Sequence, residues 1–263
     1  MNDRQLSITL SFPMTEQNTK LAREMLTRAV QLDGGAADAA AWLANLTMSD
    51  YLNGWNDAGQ EALREATGYA AKALAASSPP ALAYYAQGFV HRANGRHRQA
   101  REAFQRARTI DPKLARAYAH EGAQLINLGE WEAGRKLVDQ AIKLDPDNPS
   151  IGIFYYMKGR SYFFEAAAGD NAKFTEAIHW LEQSRATRDN LWYNWAYLIA
   201  AYHLAGKTKD AKEELVRFKA KYRTLGIPED VRNRLEARNP DGDSHQATMR
   251  GRNKFLDAIR AIW

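Results

Sequence analysis

Hydrophobic and polar positions follow the same order twice between residues 81 and 146. In the first copy they predict a helix over residues 82–93, a turn at Asn94 and Gly95, and a second helix over residues 99–110 that stops because proline cannot continue it. The chain therefore contains a tandem repeat of helix pairs. Equivalent positions lie 34 residues apart: Gly88 and Gly122, Gly95 and Gly129, Ala100 and Gly134, Phe104 and Val138, Ala107 and Ala141, Ile110 and Leu144, Asp111 and Asp145, and Pro112 and Pro146.

Small residues occupy fixed places in each copy. We expect Gly88 and Ala100 to lie where the two helices of a pair cross, because the distance between packed helices depends on the side chains at their contact. Aromatic and leucine side chains then fill the remaining space. The repeat is thus a packing unit as well as a sequence pattern.

The residues that recur in this order carry a family resemblance. Their spacing resembles the tetratricopeptide repeat (TPR), and the match is specific because about eight positions recur in register. The resemblance implies an all-α fold, a right-handed superhelix of helix pairs in one domain over residues 1–263. The residues concerned are Tyr84, Gly88, Gly95, Ala100, Phe104, Ala107 and Pro112.

Degenerate copies extend the array on both sides. We predict five complete pairs and one half unit over residues 15–223, after an N-terminal extension at residues 1–14. One early unit is lengthened around residues 51–58, and a late one is lengthened around residues 165–171, which we place between its two helices. This arrangement is similar to the C-terminal TPR regions of bacterial class III adenylate cyclases and winged-helix transcription regulators.

The last part of the chain, residues 226–263, leaves the repeat. A short helix is predicted over residues 228–237, where proline and acidic residues favour a helix start. Residues 250–263 form an amphipathic helix, which we expect to cap the last repeat, as solenoid ends require. Its apolar stripe consists of Phe255, Ala258, Ile259 and Trp263.

Composition supports the helical prediction. The chain of 263 residues contains 45 Ala and 28 aromatic residues but only 5 Val and 11 Ile, which favours helices over strands. Cysteine is absent, so disulfides and thiolate chemistry are excluded. No apolar run is long enough to span a membrane, and we expect a cytoplasmic protein.

The sequence contains no recognisable catalytic constellation. Its six histidines lack metal-ligand spacing, and neither a phosphate-binding loop nor a Gly-x-Ser-x-Gly motif occurs. We therefore expect a protein that is not an enzyme and that holds no metal or cofactor.

The TPR resemblance implies that the first helix of each pair lines a concave groove. Arginine can bind carboxylates in a bidentate manner and aromatic rings supply contact area, so the predicted partner is a protein or peptide segment that is acidic or mixed apolar. The alternative is that several of these aromatic side chains pack between helices. The predicted groove residues are Tyr85, Phe89, Arg92, Arg116, Asn127, Tyr156, Arg160, Phe163, Tyr193 and His203.

Two further hypotheses accompany the scaffold. One is a regulatory or sensory module of a cyclase-like or transcriptional signalling system. The other is nucleic-acid binding through the basic excess between His91 and Arg116, which is disfavoured because helical geometry scatters these charges over different faces. Formation of a homo-oligomer is left open by the sequence.

Overall fold

The computed structural model describes residues 16–32, 37–53, 59–223, 229–233 and 242–263, and no β-strand occurs within these ranges. The predicted all-α fold is confirmed. Residues 229–233 are helical, and Asn171–Lys173 form a 3₁₀ turn. The remaining helices are α1 (Glu16–Leu32), α2 (Ala37–Asn53), α3 (Gly59–Leu74), α4 (Ala81–Ala93), α5 (His97–Ile110), α6 (Ala115–Asn127), α7 (Trp131–Leu144), α8 (Ile151–Ala168), α9 (Phe174–Thr187), α10 (Trp192–Leu204), α11 (Thr208–Lys221) and α12 (Gln246–Ile262).

Helices α4 and α5 match the predicted boundaries to within two residues. Helix α5 ends at Ile110 because Asp111, which precedes a proline, is extended with φ −122° and ψ 92°. Asp145 ends α7 in a similar conformation, with φ −145° and ψ 80°. The repeated Asp-Pro pair therefore stops both helices for the same steric reason.

The turn between α4 and α5 and the turn between α6 and α7 each depend on a glycine in the left-handed region. Gly95 has φ +68°, and the chain closes with a hydrogen bond of 2.9 Å from the Arg96 N–H to the His91 carbonyl. Gly129 has φ +82°, and its copy of this bond joins Glu130 to Leu125 at 2.9 Å. Glycine is favoured here because a side chain would add steric strain.

The chain divides into two compact units, residues 1–117 and residues 118–263. In the first unit, α2 packs against α3, α4 against α5, and α1 against α2. A Cβ atom on Gly88 would lie 2.6 Å from the Phe104 ring, and Ala100 is fully buried in the same cluster. The predicted place of these two small residues between the paired helices is confirmed.

The second unit contains the pairs α6/α7, α8/α9 and α10/α11. A Cβ atom on Gly122 would lie 2.6 Å from the Gly134 carbonyl oxygen, so the backbones of α6 and α7 touch. Gly159 of α8 similarly faces Leu181 of α9, whose Cγ would be 2.7 Å from an added Cβ. Small residues thus set the spacing within both pairs.

The late insertion differs in part from its predicted position between two helices. Helix α8 continues through Ala168, so the first part of residues 165–171 is an additional turn of helix. The 3₁₀ turn then leads directly into α9. Predictions for residues 1–14, 54–58, 226–228 and 234–241 fall outside the described residues.

Helix α12 was expected to cap the last repeat. Its C-terminal end does reach α11, where the Trp263 ring lies 5.6 Å from that of Phe218. Its main packing partners are nevertheless α8 and α10, the first helices of two pairs. Phe255 stacks on Tyr197 of α10 with a centroid distance of 4.4 Å. The helix therefore lies across the repeat as well as at its end.

We predict that Gly122→Ala destabilises the protein by about 1–3 kcal/mol, because the new methyl group meets a backbone oxygen that cannot turn away. Gly68→Ala is the matched control, since an added Cβ there meets nothing within 4 Å. It should stabilise α3 by about 0.5–1 kcal/mol. Urea unfolding followed by circular dichroism measures both changes in the free energy of unfolding. Equal changes in the two variants would contradict the close contact of α6 and α7 at Gly122.

Candidate functional site

A cluster of arginine and aromatic side chains lies in the first unit. The Arg116 guanidinium carbon is 5.6 Å from the Tyr85 ring centroid and 5.7 Å from that of Trp42. Arg92 lies 5.9 Å from the Phe89 ring, which meets Tyr85 edge to face at 5.0 Å. We call these five residues the first-unit cluster. The structure thus brings together four predicted groove residues.

Three helices supply the first-unit cluster. Tyr85, Phe89 and Arg92 are spaced by four and three residues on α4, so they form one stripe along that helix. Trp42 comes from α2, and Arg116 is the second residue of α6. The first helices of successive repeats therefore provide every member.

The electrostatics of the first-unit cluster are set by burial and by two positive charges. Burial raises the pKa of Tyr85 to about 12, and the neighbouring Arg116 and Arg92 partly oppose the rise. Within the described part of the chain, Arg116 makes no ion pair with a carboxylate. Its guanidinium is half-buried against rings, a geometry in which cation–π attraction is appreciable.

In the second unit, Arg160 is bound internally. It donates hydrogen bonds to the Asn127 side-chain oxygen at 3.1 Å and, more weakly, to the Ala123 carbonyl at 3.5 Å. Its guanidinium also lies 5.8 Å from the Tyr156 ring and 5.5 Å from that of Phe164. With 6% of its surface exposed, Arg160 acts as a buried link between α6 and α8.

The aromatic residues predicted for this part of the groove are buried. Tyr156 and Tyr193 meet at 4.6 Å, and Phe163, with 0% exposure, contacts Tyr197 at 5.2 Å. The alternative that aromatic side chains pack between helices therefore describes these three positions. The expected exposure of Phe163 is wrong, because four rings, one each on α8, α9, α10 and α12, lie against it.

His203 stands apart from this group. It lies half-buried near the C-terminal end of α10, and its buried Nδ1 has no hydrogen-bond partner within the described residues. Asn127 contacts two other helices. Its side-chain oxygen accepts a hydrogen bond from Arg160 of α8, and its backbone carbonyl accepts one of 2.9 Å from the His245 N–H at the start of α12. Apart from His203, the predicted second-unit residues thus contact α12 or one another.

Sequence reasoning missed two residues that shape these surfaces. Trp42 is in the lengthened early unit, where the 34-residue spacing fails. Its position on the first helix of that unit was a signal that could have placed it in the groove. Tyr197 lies on α10 and stacks on Phe255, 58 positions later in the chain. Only the position of α12 could have identified that contact.

The described ranges hold no group of three or more His, Asp or Glu side chains placed to bind a metal ion. Within the same ranges, none of the helices combines the length and apolar character needed to cross a bilayer.

Comparisons with known proteins agree with the repeat geometry. Residues 81–114 match the family model of the tetratricopeptide repeat. This segment is a tetratricopeptide repeat. The crystal structure of PilW, described as a widely conserved type IV pilus biogenesis factor, is 21% identical with a TM-score of 0.59, covering 84% of this chain and 92% of that one.

Two other solved structures share the TPR fold. PilF of Pseudomonas aeruginosa is 16% identical with a TM-score of 0.54, covering 89% of this chain and 96% of its own. A tetratricopeptide repeat protein from Parabacteroides merdae is 11% identical with a TM-score of 0.51, covering 92% of this chain and 93% of its own. No match was found among curated proteins. This structural likeness shows that the chain has the TPR fold.

We predict that Arg160→Ala destabilises the protein by about 1.5–3 kcal/mol, because charge-assisted hydrogen bonds to Asn127 and Ala123 are lost. Arg160→Lys should recover a part of the loss, since it keeps the charge but not the planar donors. Thermal and urea unfolding measure the effect. The exposed Lys212→Ala is the control and should stay within about 0.5 kcal/mol of the wild type. An Arg160→Ala protein that is as stable as the wild type would contradict a structural role for Arg160.

We also predict that Tyr85 contributes to alkaline unfolding. Its pKa of about 12 lies above the ordinary 10.0, so the stabilisation is complete below pH 10 and is lost as the pH rises toward 12. By pH 11.5 this loss amounts to about 2 kcal/mol. Urea unfolding at pH 9 and pH 11.5 should therefore show a smaller pH effect in Tyr85→Phe than in the wild type. An equal loss of stability between pH 9 and pH 11.5 in the two proteins would contradict a raised pKa of Tyr85.

Proposed function

We propose that this TPR protein is a non-catalytic scaffold that binds an acidic or mixed acidic and apolar protein segment through the first-unit cluster. The TPR family is generally a non-catalytic protein-interaction scaffold, and the fold supports that class of function. The partner's chemistry is proposed from the residues themselves. A cytoplasmic location belongs to the same proposal and rests on the sequence.

The observation that carries the proposal is the state of Arg116. Its guanidinium rests beside two aromatic rings without a carboxylate partner in the described part of the chain. A planar guanidinium that stacks on a ring keeps N–H donors along its edge, and these fit a carboxylate in a bidentate manner. An incoming Asp or Glu side chain would therefore complete the site.

The half-buried ring of Phe89 supports the apolar part of the proposed ligand. Phe89 adjoins Tyr85 and the buried Arg92 side chain, so Phe89 offers ring surface to an apolar side chain of the ligand while Arg116 receives the acidic one. Aromatic residues and arginine are also the residue types that dominate binding energy at protein interfaces. In this proposal Tyr85 supports the site from beneath, because it is buried.

The second unit has a different part in the proposal. Arg160 is buried and already donates a hydrogen bond to Asn127, so its guanidinium is not available to a ligand. The predicted residues of this unit therefore support the binding scaffold and are not its first contacts. They are Asn127, Tyr156, Arg160, Phe163, Tyr193 and His203.

A regulatory module of a cyclase-like or transcriptional system is the alternative hypothesis. It would also act by binding another polypeptide, and it differs in the identity of that polypeptide. The first-unit cluster serves either role. The chemistry of the bound segment is therefore tested first, and the identity of the partner polypeptide second.

We predict that Arg116→Glu weakens capture of an acidic peptide at least about tenfold, because a charge-assisted bidentate contact becomes a repulsion. Selection of peptides from a random displayed library on the wild-type protein supplies the probe. Arg106→Glu is the matched control, since Arg106 is exposed on α5, outside the first-unit cluster. Affinities are measured by fluorescence anisotropy, with circular dichroism to verify that each variant is folded.

The expected selection is enriched in peptides that carry Asp or Glu next to an apolar residue. Enrichment of peptides without acidic residues would contradict the proposed ligand chemistry. Equal loss in the Arg116→Glu and Arg106→Glu proteins would show a general charge effect and would contradict the first-unit cluster as the contact.

A further inference from the structure

Helix α12 lies across the first helices of the second unit. At its start, the His245 N–H bonds to the Asn127 carbonyl of α6, and the Thr248 hydroxyl donates to the Ile126 carbonyl at 3.1 Å. Further along, Gly251 faces α8 and Phe255 faces α10. The chain's own helix therefore covers the side of the repeats that the TPR resemblance assigns to a ligand.

The contact has the character of helix recognition in a groove. An added Cβ on Gly251 would lie 2.8 Å from the Phe164 ring, so only a small residue permits this approach. Four residues later, the Phe255 ring stacks on Tyr197 at 4.4 Å with an angle of 23° between the planes. Ala258 and Ile259 continue the buried stripe at the positions expected for one face of a helix.

The helices beneath α12 also pack without it. Gly159 meets Leu181, and Ser184 donates a hydrogen bond of 2.7 Å to the Gly152 carbonyl, which joins α8 to α9. Asn194 of α10 donates to the Leu181 carbonyl at 2.9 Å, which joins α10 to α9. These contacts are independent of α12, so the repeat scaffold can persist when the helix leaves.

The surface beneath α12 requires a cover. All of the residues from 192 to 202 on α10 are buried, and a helix that is apolar on every side must be covered on every side. Release of α12 would expose Tyr197 and Phe163 to water. An exchange of one amphipathic helix for another is therefore favoured over an empty groove.

We propose that α12 is a built-in ligand of the α6, α8 and α10 face and that this face binds an external amphipathic helix of the same chemistry in exchange for it. The external helix carries a small residue, an aromatic residue four positions later and aliphatic residues three and four positions after that. This rests on the proposed scaffold function and assigns it a second partner surface, separate from the acidic ligand of the first-unit cluster.

A peptide of residues 246–263 with a fluorescent label tests the exchange in trans, and its anisotropy is measured with the full-length chain. We expect full-length Phe255→Ala to bind this peptide at least about tenfold more tightly than the wild type does, because its own helix competes less well. The face itself is unchanged in that variant. Lys254→Ala, on the exposed side of α12, is the matched control and should bind the peptide as the wild type does.

A second peptide, with Phe255 replaced by Ala, should lose most of its binding to full-length Phe255→Ala. If folded Phe255→Ala binds the wild-type peptide no better than the wild-type chain does, the proposal is overturned and α12 is a fixed part of the core. These outcomes do not involve Arg116, so they are independent of the acidic-ligand test.

Hydrogen exchange on the wild-type chain supplies a measurement if Phe255→Ala does not fold. We expect the amides of α12 to exchange at least about tenfold faster than those of α8 and α10, because the helix opens without the pairs beneath it. Equal protection in the three helices would overturn the proposal.

Discussion

The close approach of the two helices in the pairs α4/α5, α6/α7 and α8/α9 is the constraint on which the other features depend. A Cβ atom on Gly122 would stand 2.6 Å from the Gly134 carbonyl, and Gly159 leaves similar room for Leu181. Gly88 of α4 likewise leaves room for the Phe104 ring of α5. The 34-residue spacing of small residues therefore fixes which face of α4 and of α6 packs against its partner helix.

This constraint explains how far the sequence predicts the fold. The boundaries of α4 and α5 follow from Gly95 and the Asp-Pro pair, which act through local backbone sterics and need no knowledge of the partner helices. The position of α12 has no such local signal. Its stripe of Phe255 and Ile259 predicts an amphipathic helix, but the helices it covers are chosen by long-range packing.

The candidate site is predicted unevenly for the same reason. The repeat position identifies the first helix and its face, and the four predicted residues of the first unit do lie together. Whether a residue on that face is exposed depends on what covers it. Phe163 is enclosed by Phe255, which is 92 positions later in the chain, and Trp42 joins its cluster from a lengthened unit.

A comparison of two arginines separates binding from packing. Tyr85 and Tyr156 occupy equivalent places, since each directly follows the tyrosine four residues before the crossing glycine, Gly88 or Gly159. Each has a guanidinium at a similar distance, 5.6 Å for Arg116 and 5.8 Å for Arg160. Arg160 adds an oxygen acceptor from Asn127 and is buried, whereas Arg116 stays half-exposed without a carboxylate in the described part of the chain. Because a desolvated guanidinium needs acceptors, Arg160 takes them from Asn127 and Ala123 inside the protein. In the proposed complex, Arg116 takes its acceptor from an acidic side chain of the ligand.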